Sequence, residues 1–223
     1  MLEFRNVHLS YGKKPLLVDL NLSVGPGETA TIVGENGAGK TSILRSIFDD
    51  KIISSGSVFI ENSNNNEITP IIRSQKISVL FAKNPIAKEI TTRDILKFSL
   101  SQRCMGPQEI KKSFDEATKV FRIEKMLDLR VHELSEGMLQ RAMIARTFCL
   151  DTPIIYLDEP TTYLDIKSQV EIADIISEIV IKKSKSLIIN THNSLWVKRF
   201  SKNIYQIKDK RIIKSNIEEL NLF

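Results

Sequence analysis

The chain has 223 residues, 42% of them hydrophobic and 26% charged, with a formal net charge of +5. That composition suits a soluble globular protein, and no apolar run approaches the ~18 residues a membrane-spanning helix needs. The excess of positive charge is spread out apart from Lys182-Lys183-Ser184-Lys185 and Lys208-Asp209-Lys210-Arg211, which read as solvated loop ends, so no nucleic-acid partner is expected. Cys104 and Cys149 lie far apart without metal-ligand spacing, which argues against a disulfide framework. Met1 runs straight into strand-like sequence, so no signal peptide is expected.

In chain order, Leu2 to Leu9 reads as a strand, Tyr11 to Pro15 as a turn and Leu16 to Val24 as a second strand. Pro26-Gly27 makes a tight turn. Thr29 to Val33 is a short β-branched strand, and Ser42 to Phe48 spaces Ile43, Leu44 and Ile47 as a helix does. Ser54-Ser55-Gly56-Ser57 reads as a turn into the strand Val58 to Ile60. Glu61 to Glu67 reads as a polar surface loop, the least structured stretch. Ile77 to Phe81 reads as a buried strand. From Ile90 to Leu150 the pattern is helical, with Thr92 as N-cap before Asp94 to Leu100, and with Pro107 opening a helix to about Phe121. Strands at Pro153 to Leu157 and Ser186 to Asn190 alternate with helices at Ile166 to Lys182 and Asn193 to Lys202. Ile204 to Ile207 and Arg211 to Ile213 close the chain as a hairpin.

This is an α/β pattern: a mainly parallel core preceded by an antiparallel β part, with a helical insertion. One domain spans 1–223, with the α/β core at about 1–82 and 151–223 and the helical subdomain at about 83–150.

Between the strand ending at Val33 and the following helix stands Gly34-Glu35-Asn36-Gly37-Ala38-Gly39-Lys40-Thr41. It fits G-x-x-x-x-G-K-[ST] in the strand–turn–helix context that makes this pattern a phosphate site. Glycines let backbone N–H groups approach phosphate oxygens at a helix N-terminus. Lys40 is then placed to reach the β- and γ-phosphates and Thr41 to bind Mg²⁺, with Ser42 following in the helix. Ile154-Ile155-Tyr156-Leu157-Asp158-Glu159 is an apolar strand ending in two carboxylates. Adjacent strand residues face opposite ways, so the acids divide the work. Asp158 approaches the metal, and Glu159 orients and deprotonates the attacking water.

With these residues in view, the chain resembles the nucleotide-binding subunit of an ATP-binding-cassette (ABC) transporter, over essentially its whole length. The likeness rests on Tyr11 after the first strand, the Gly34–Thr41 loop and Leu134-Ser135-Glu136-Gly137-Met138 with the helix after it. Asp158-Glu159-Pro160-Thr161-Thr162, Tyr163-Leu164-Asp165 and Thr191-His192 complete the set. The resemblance implies an ATPase with ATP and Mg²⁺ as cofactors. It implies Tyr11 stacking on adenine, and Ser135 and Gly137 facing the γ-phosphate held by a second subunit. Asp165 belongs to the loop beside that junction, and His192 contacts the γ-phosphate and the water with Glu159. It further implies a separate transmembrane permease, a second cassette that pairs as a homodimer when ATP is bound, and a position on the cytoplasmic face of the cell membrane. The family docks its permease on the helical subdomain and the loop near Ala82 to Ala87. A soluble assembly ATPase of the iron–sulfur cluster type is the alternative.

The chain departs from that family pattern in three places. Glu136 replaces a glycine and Met138 a glutamine. Ala82-Lys83-Asn84-Pro85 has no glutamine where the family places one on Mg²⁺. Either Lys83 or Asn84 substitutes for it or coordination of Mg²⁺ by that loop is weakened, and an ammonium cannot ligate Mg²⁺. The stretch from Asp158 to Ile166 resembles ATPases of metal-chelate importers.

Overall fold

The computed structural model describes residues 1–83 and 85–220. Asn84, one of the two expected substitutes for the missing glutamine, lies outside them.

Two sheets organise the molecule. An antiparallel sheet has the order β2-β1-β4-β5, built from β1 (Leu2–Tyr11), β2 (Lys14–Val24), β4 (Ile53–Ile60) and β5 (Ser63–Asn64). The larger sheet also contains β3 (Thr29–Val33), β6 (Ile77–Leu80), β7 (Ile154–Asp158), β8 (Ser186–Asn190), β9 (Ile204–Lys208) and β10 (Arg211–Ser215), in the order β10-β9-β3-β8-β7-β6. All its neighbours are parallel except the terminal β9–β10 hairpin. That hairpin turns on Asp209 and Lys210, both in the left-handed region that matches strand twist.

The central strands are apolar on both faces because both faces are covered. Ile154, Tyr156 and Ile188 look towards the first sheet. Helix α1 (Lys40–Arg45) fills the space between the sheets, and Ile43, Leu44 and Ile47 are fully buried with Leu2, Phe4 and Leu20. Ile155, Leu157, Leu187 and Ile189 look the other way. They share one hydrophobic cluster with α3 (Thr92–Ser101), α4 (Pro107–Val120), α5 (Glu136–Cys149), α6 (Ile166–Lys182) and α7 (Ser194–Arg199). The helical section therefore closes the far face of the sheet and has no separate core.

Several local expectations are corrected. Thr91, not Thr92, caps α3. Its hydroxyl accepts from Asp94 N, Asp94 accepts from Thr91 N in return, and Thr92 is buried. Ser54 to Ser57 is not a turn but the middle of β4. Gly56 sits there at φ +84, and a Cβ on it would lie 2.2 Å from Asn6 O. The turn-like composition records a close backbone approach within a sheet. Replacing Gly56 with Ala is expected to cost roughly 2–5 kcal/mol through backbone strain and overpacking, read as a lowered denaturation midpoint with an unchanged slope.

The polar stretch after Ile60 is better ordered than its composition suggests. It holds β5, and Asn65 is buried with its amide donating to Ile47 O at 2.9 Å. Helix α2 (Pro70–Lys76), capped by Thr69, has no counterpart in the sequence reading. It buries none of its residues, so it carries no apolar periodicity to read.

Candidate nucleotide site

The glycine-rich loop leaves β3 at Val33 and enters α1 at Lys40. Gly37 and Gly39 have φ of +83° and +110°, values that strain an L-residue, so the loop can curl into a cradle only because they lack side chains. Gly34 is needed for space instead, since a Cβ there would lie 3.2 Å from Ile207 Cβ. Asn36, Gly37, Gly39, Lys40, Thr41 and Ser42 then border a cavity of about 220 Å³ whose other wall is Asp158 and Glu159.

Lys40 is buried. Its Nζ donates to Gly34 O at 2.6 Å and Glu35 O at 3.2 Å, and stands 3.9 Å from Glu159 Oε1. Thr41 Oγ1 donates to Asp158 Oδ2 at 2.9 Å. Behind Asp158 lies a buried relay: Asn190 Nδ2 donates to Asp158 Oδ1 at 2.9 Å, and Tyr156 OH donates to Asn190 Oδ1 at 2.9 Å. Burial pushes the Tyr156 phenol well above its ordinary pKa, so it remains a donor. A fixed donor on one side sets the Asn190 amide with its N–H towards the carboxylate.

Glu159 leaves the strand at φ +50°, tied by its own N–H to Asn190 O at 2.9 Å. His192 Nδ1 lies 3.0 Å from the Glu159 carboxylate and makes its hydrogen bond to Oε1. A carboxylate only accepts, so Nδ1 donates and Nε2 is left for another partner. Buried Glu159 Oε2 has no aligned donor among the described residues, as suits a base meant for a water.

The other expected residues stand outside this cavity. Tyr11 is half-exposed at the end of β1, with its hydroxyl 3.5 Å from Ser42 Oγ. That contact, followed by Arg45, holds its phenol below the ordinary pKa. Ser135 caps α5 by accepting from Met138 N at 3.2 Å. Gly137 lies against the loop after Glu159, where a Cβ would be 2.9 Å from Tyr163 O. Asp165 caps α6, accepting from Ser168 N and Oγ at 2.8 and 3.0 Å, and these bonds hold its carboxyl below the usual range.

The structure thus joins Lys40, Thr41, Ser42, Asp158 and Glu159, with His192 behind Glu159, and leaves Ser135, Gly137 and Asp165 on a separate surface. Ala82 and Lys83 border a second cleft of about 260 Å³ with Glu136, Gln140 and Tyr163. Gln140 Nε2 donates to Pro160 O at 3.0 Å, tying α5 to the segment after the acid pair.

Sequence reasoning missed Asn190 and Tyr156. The available signal was a polar residue closing an otherwise apolar strand beside the phosphate loop. Thr41 and Asp158 supply adjacent hard oxygens, and among the described residues no cluster of three His, Cys, Asp or Glu could hold a metal by itself. That donor set fits Mg²⁺, which completes its shell from phosphate and water.

A phosphate loop at the end of one parallel strand, with an acid pair at the end of a nearby one, defines a P-loop nucleotide-binding ATPase. The family model for ABC transporters matches residues 17–162, and the chain belongs to that family. It is similar to the probable siderophore transport system ATP-binding protein YusV of Bacillus subtilis, with 33% identity over 212 residues covering 92% of this chain and 76% of that one. It is also similar to the petrobactin import ATP-binding protein YclP of the same organism, with 31% identity over 222 residues covering 98% and 88%. Among solved structures it resembles the dimeric post-hydrolysis state of the ATP-binding cassette MJ0796 bound to ADP and Pi. The TM-score there is 0.87 at 26% identity, covering 99% of this chain and 100% of that one.

Proposed function

We propose that this chain is the ATP-hydrolysing subunit of an iron-chelate importer, acting on a separate permease at the cytoplasmic face of the membrane and closing as a homodimer around ATP. The observation that carries the hydrolytic part is the split of the acid pair, with Asp158 held on Thr41 and Glu159 held by His192 beside Lys40. The printed functions of YusV and YclP support iron-chelate transport, and for YclP import. Among the described residues no helix is long and apolar enough to cross a membrane.

The chemistry follows from the side chains. The loop N–H groups and the Lys40 ammonium bind the β- and γ-phosphates, with the ammonium exchanging its loop carbonyls for phosphate oxygens. Thr41 and Asp158 would hold Mg²⁺, which supplies positive charge beside the phosphate oxygens. Glu159 takes a proton from water as its oxygen bonds to the γ-phosphorus and the bond to the β-bridging oxygen breaks. ADP and phosphate leave. His192 keeps the carboxylate aimed, and the Tyr156–Asn190 relay keeps Asp158 fixed. Ser135 and Gly137, away from this chain's own phosphates, serve the nucleotide of the partner cassette.

Tyr11, half-exposed with its hydroxyl 3.5 Å from Ser42 Oγ, would stack on adenine. Tyr11→Ala is expected to raise KM for ATP about 5–20-fold with kcat little changed, as a lost base–aromatic stack does. Tyr11→Phe should bind as the wild type, and equal losses in both variants would remove the stacking role.

The permease would dock in a groove of about 570 Å³ lined by Phe81, Ile86, Ile90, Phe98 and Met143, with Phe98 70% exposed. The test is to isolate the tagged chain from its own membranes. A permease that comes with it and raises its ATPase rate supports the reading. A chain that remains alone in the soluble fraction, with full ATPase activity, sinks the transport half and favours an assembly ATPase.

A further inference from the structure

Next to the docking groove lies a second cavity, of about 370 Å³, that the nucleotide site does not use. Three arginines from separate elements line it: Arg73 on α2, Arg103 after α3 and Arg146 on α5. Their partners are few and neutral. Arg73 Nη2 donates to Asn65 O at 3.1 Å, Arg103 Nη1 to Ser74 O at 2.6 Å and Arg146 Nε to Ser99 Oγ at 2.8 Å. Arg73 Nε and Arg103 Nε are buried without a hydrogen-bond partner. Among the described residues no carboxylate lies within 4.0 Å of any of the three, although six other arginines are paired.

Arg5, Arg93, Arg122, Arg130, Arg141 and Arg199 are those that find acids, and none of them lines this cavity. Burial lowers the pKa of both Arg103 and Arg146, with Asp151 opposing this at Arg103 from beyond pairing distance. Partly desolvated cations without counter-ions are costly in isolation. The cost is recovered when an anion arrives.

The surroundings select the kind of anion. Phe81, Phe98, Ser99 and Arg146 border both this cavity and the docking groove, so the two are continuous. Phe48 and Phe98 stand 43% and 70% exposed on its rim, and α2 carries Ile71 at 66% exposure. Aromatic and aliphatic surface around guanidinium groups matches an amphipathic polypeptide bearing acids better than a small polar anion. We propose that the permease's docking segment carries Asp or Glu side chains that enter this cavity and pair with Arg73, Arg103 and Arg146. The proposal rests on the transport reading above and specifies the chemistry of its partner.

The test uses the detergent-solubilised complex of the full chain with its permease. Arg73→Gln with Arg103→Gln is expected to reduce permease retained at 0.1 M salt by about 10-fold or more. The melting temperature and ATPase rate of the isolated chain should stay unchanged. Double replacement by Lys should restore part of the retention, and neutralising acids in the permease's cytoplasmic loops should reproduce the loss. Retention equal to wild type in the Gln variant overturns the proposal while leaving the transport reading intact. So does stabilisation of the isolated wild type, but not the variant, by millimolar citrate or phosphate with retention unaffected, since the site then serves a small anion. A wild-type chain that retains no permease overturns the transport reading and this proposal together.

Discussion

Glu159→Gln is expected to lower ATP turnover by about 10²–10⁴-fold, the usual contribution of a positioned general base, while ATP binding persists. Gln keeps the size of the side chain and can still accept from His192, so the cavity wall survives. What it loses is the capacity to take a proton from water. Glu159 is suited to that task because Oε1 is held by His192 while Oε2 faces no aligned donor. Blocking hydrolysis without blocking binding should also trap the closed state. Mass in solution, measured for this variant with and without ATP and Mg²⁺, should shift from monomer to dimer only with nucleotide. A monomer that binds ATP would mean that two copies of this chain are not the working unit. Normal turnover would assign the base to another residue.

The second large effect is expected at Asn190→Ala, which removes the centre of the buried relay. Tyr156 OH loses its acceptor and Asp158 Oδ1 its donor, both in an environment without water to replace them. Each stranded polar group costs about 1–3 kcal/mol, more where it is charged. A total of roughly 3–5 kcal/mol corresponds to a melting temperature lower by about 6–20 °C for a chain of this size. Turnover should fall as well, because an unsupported Asp158 no longer fixes the Thr41 side of the site. Tyr156→Phe with Asn190→Leu should recover part of the stability, since replacing both partners leaves fewer groups stranded, but not the activity. Full activity in Asn190→Ala would show that Thr41 alone positions Asp158.

The site was legible where chemistry demands particular residue types at fixed spacing. Gly34 to Thr41 and Asp158-Glu159 could be placed because a strand before one and a strand leading into the other have strong apolar signatures. The relay behind them could not, because Tyr156 looks like any strand residue and Asn190 like a strand end until β7 and β8 are aligned. Gln140 was hidden for the same reason, since its partner Pro160 is distant along the chain. In the fold, the parallel strands and long helices announced themselves by burial. Helix α2 was silent because none of its residues is fully buried, and β4 was misread because Gly56 answers to a neighbouring backbone rather than to a turn. The helical section was legible as helices, but its sharing of one core with the sheet's far face was not.

The alternation along β7 has a further consequence. Ile154 and Tyr156 belong to one hydrophobic cluster, and Ile155 and Leu157 to the other. A slip of one residue would turn every side chain of the strand to the wrong face. It would also present Glu159 where Asp158 belongs, and both clusters would be broken at once. A misregistered chain therefore cannot persist as a compact form with its acids exchanged. The alternation that builds the two clusters thereby also fixes which of the two acids faces the phosphate loop.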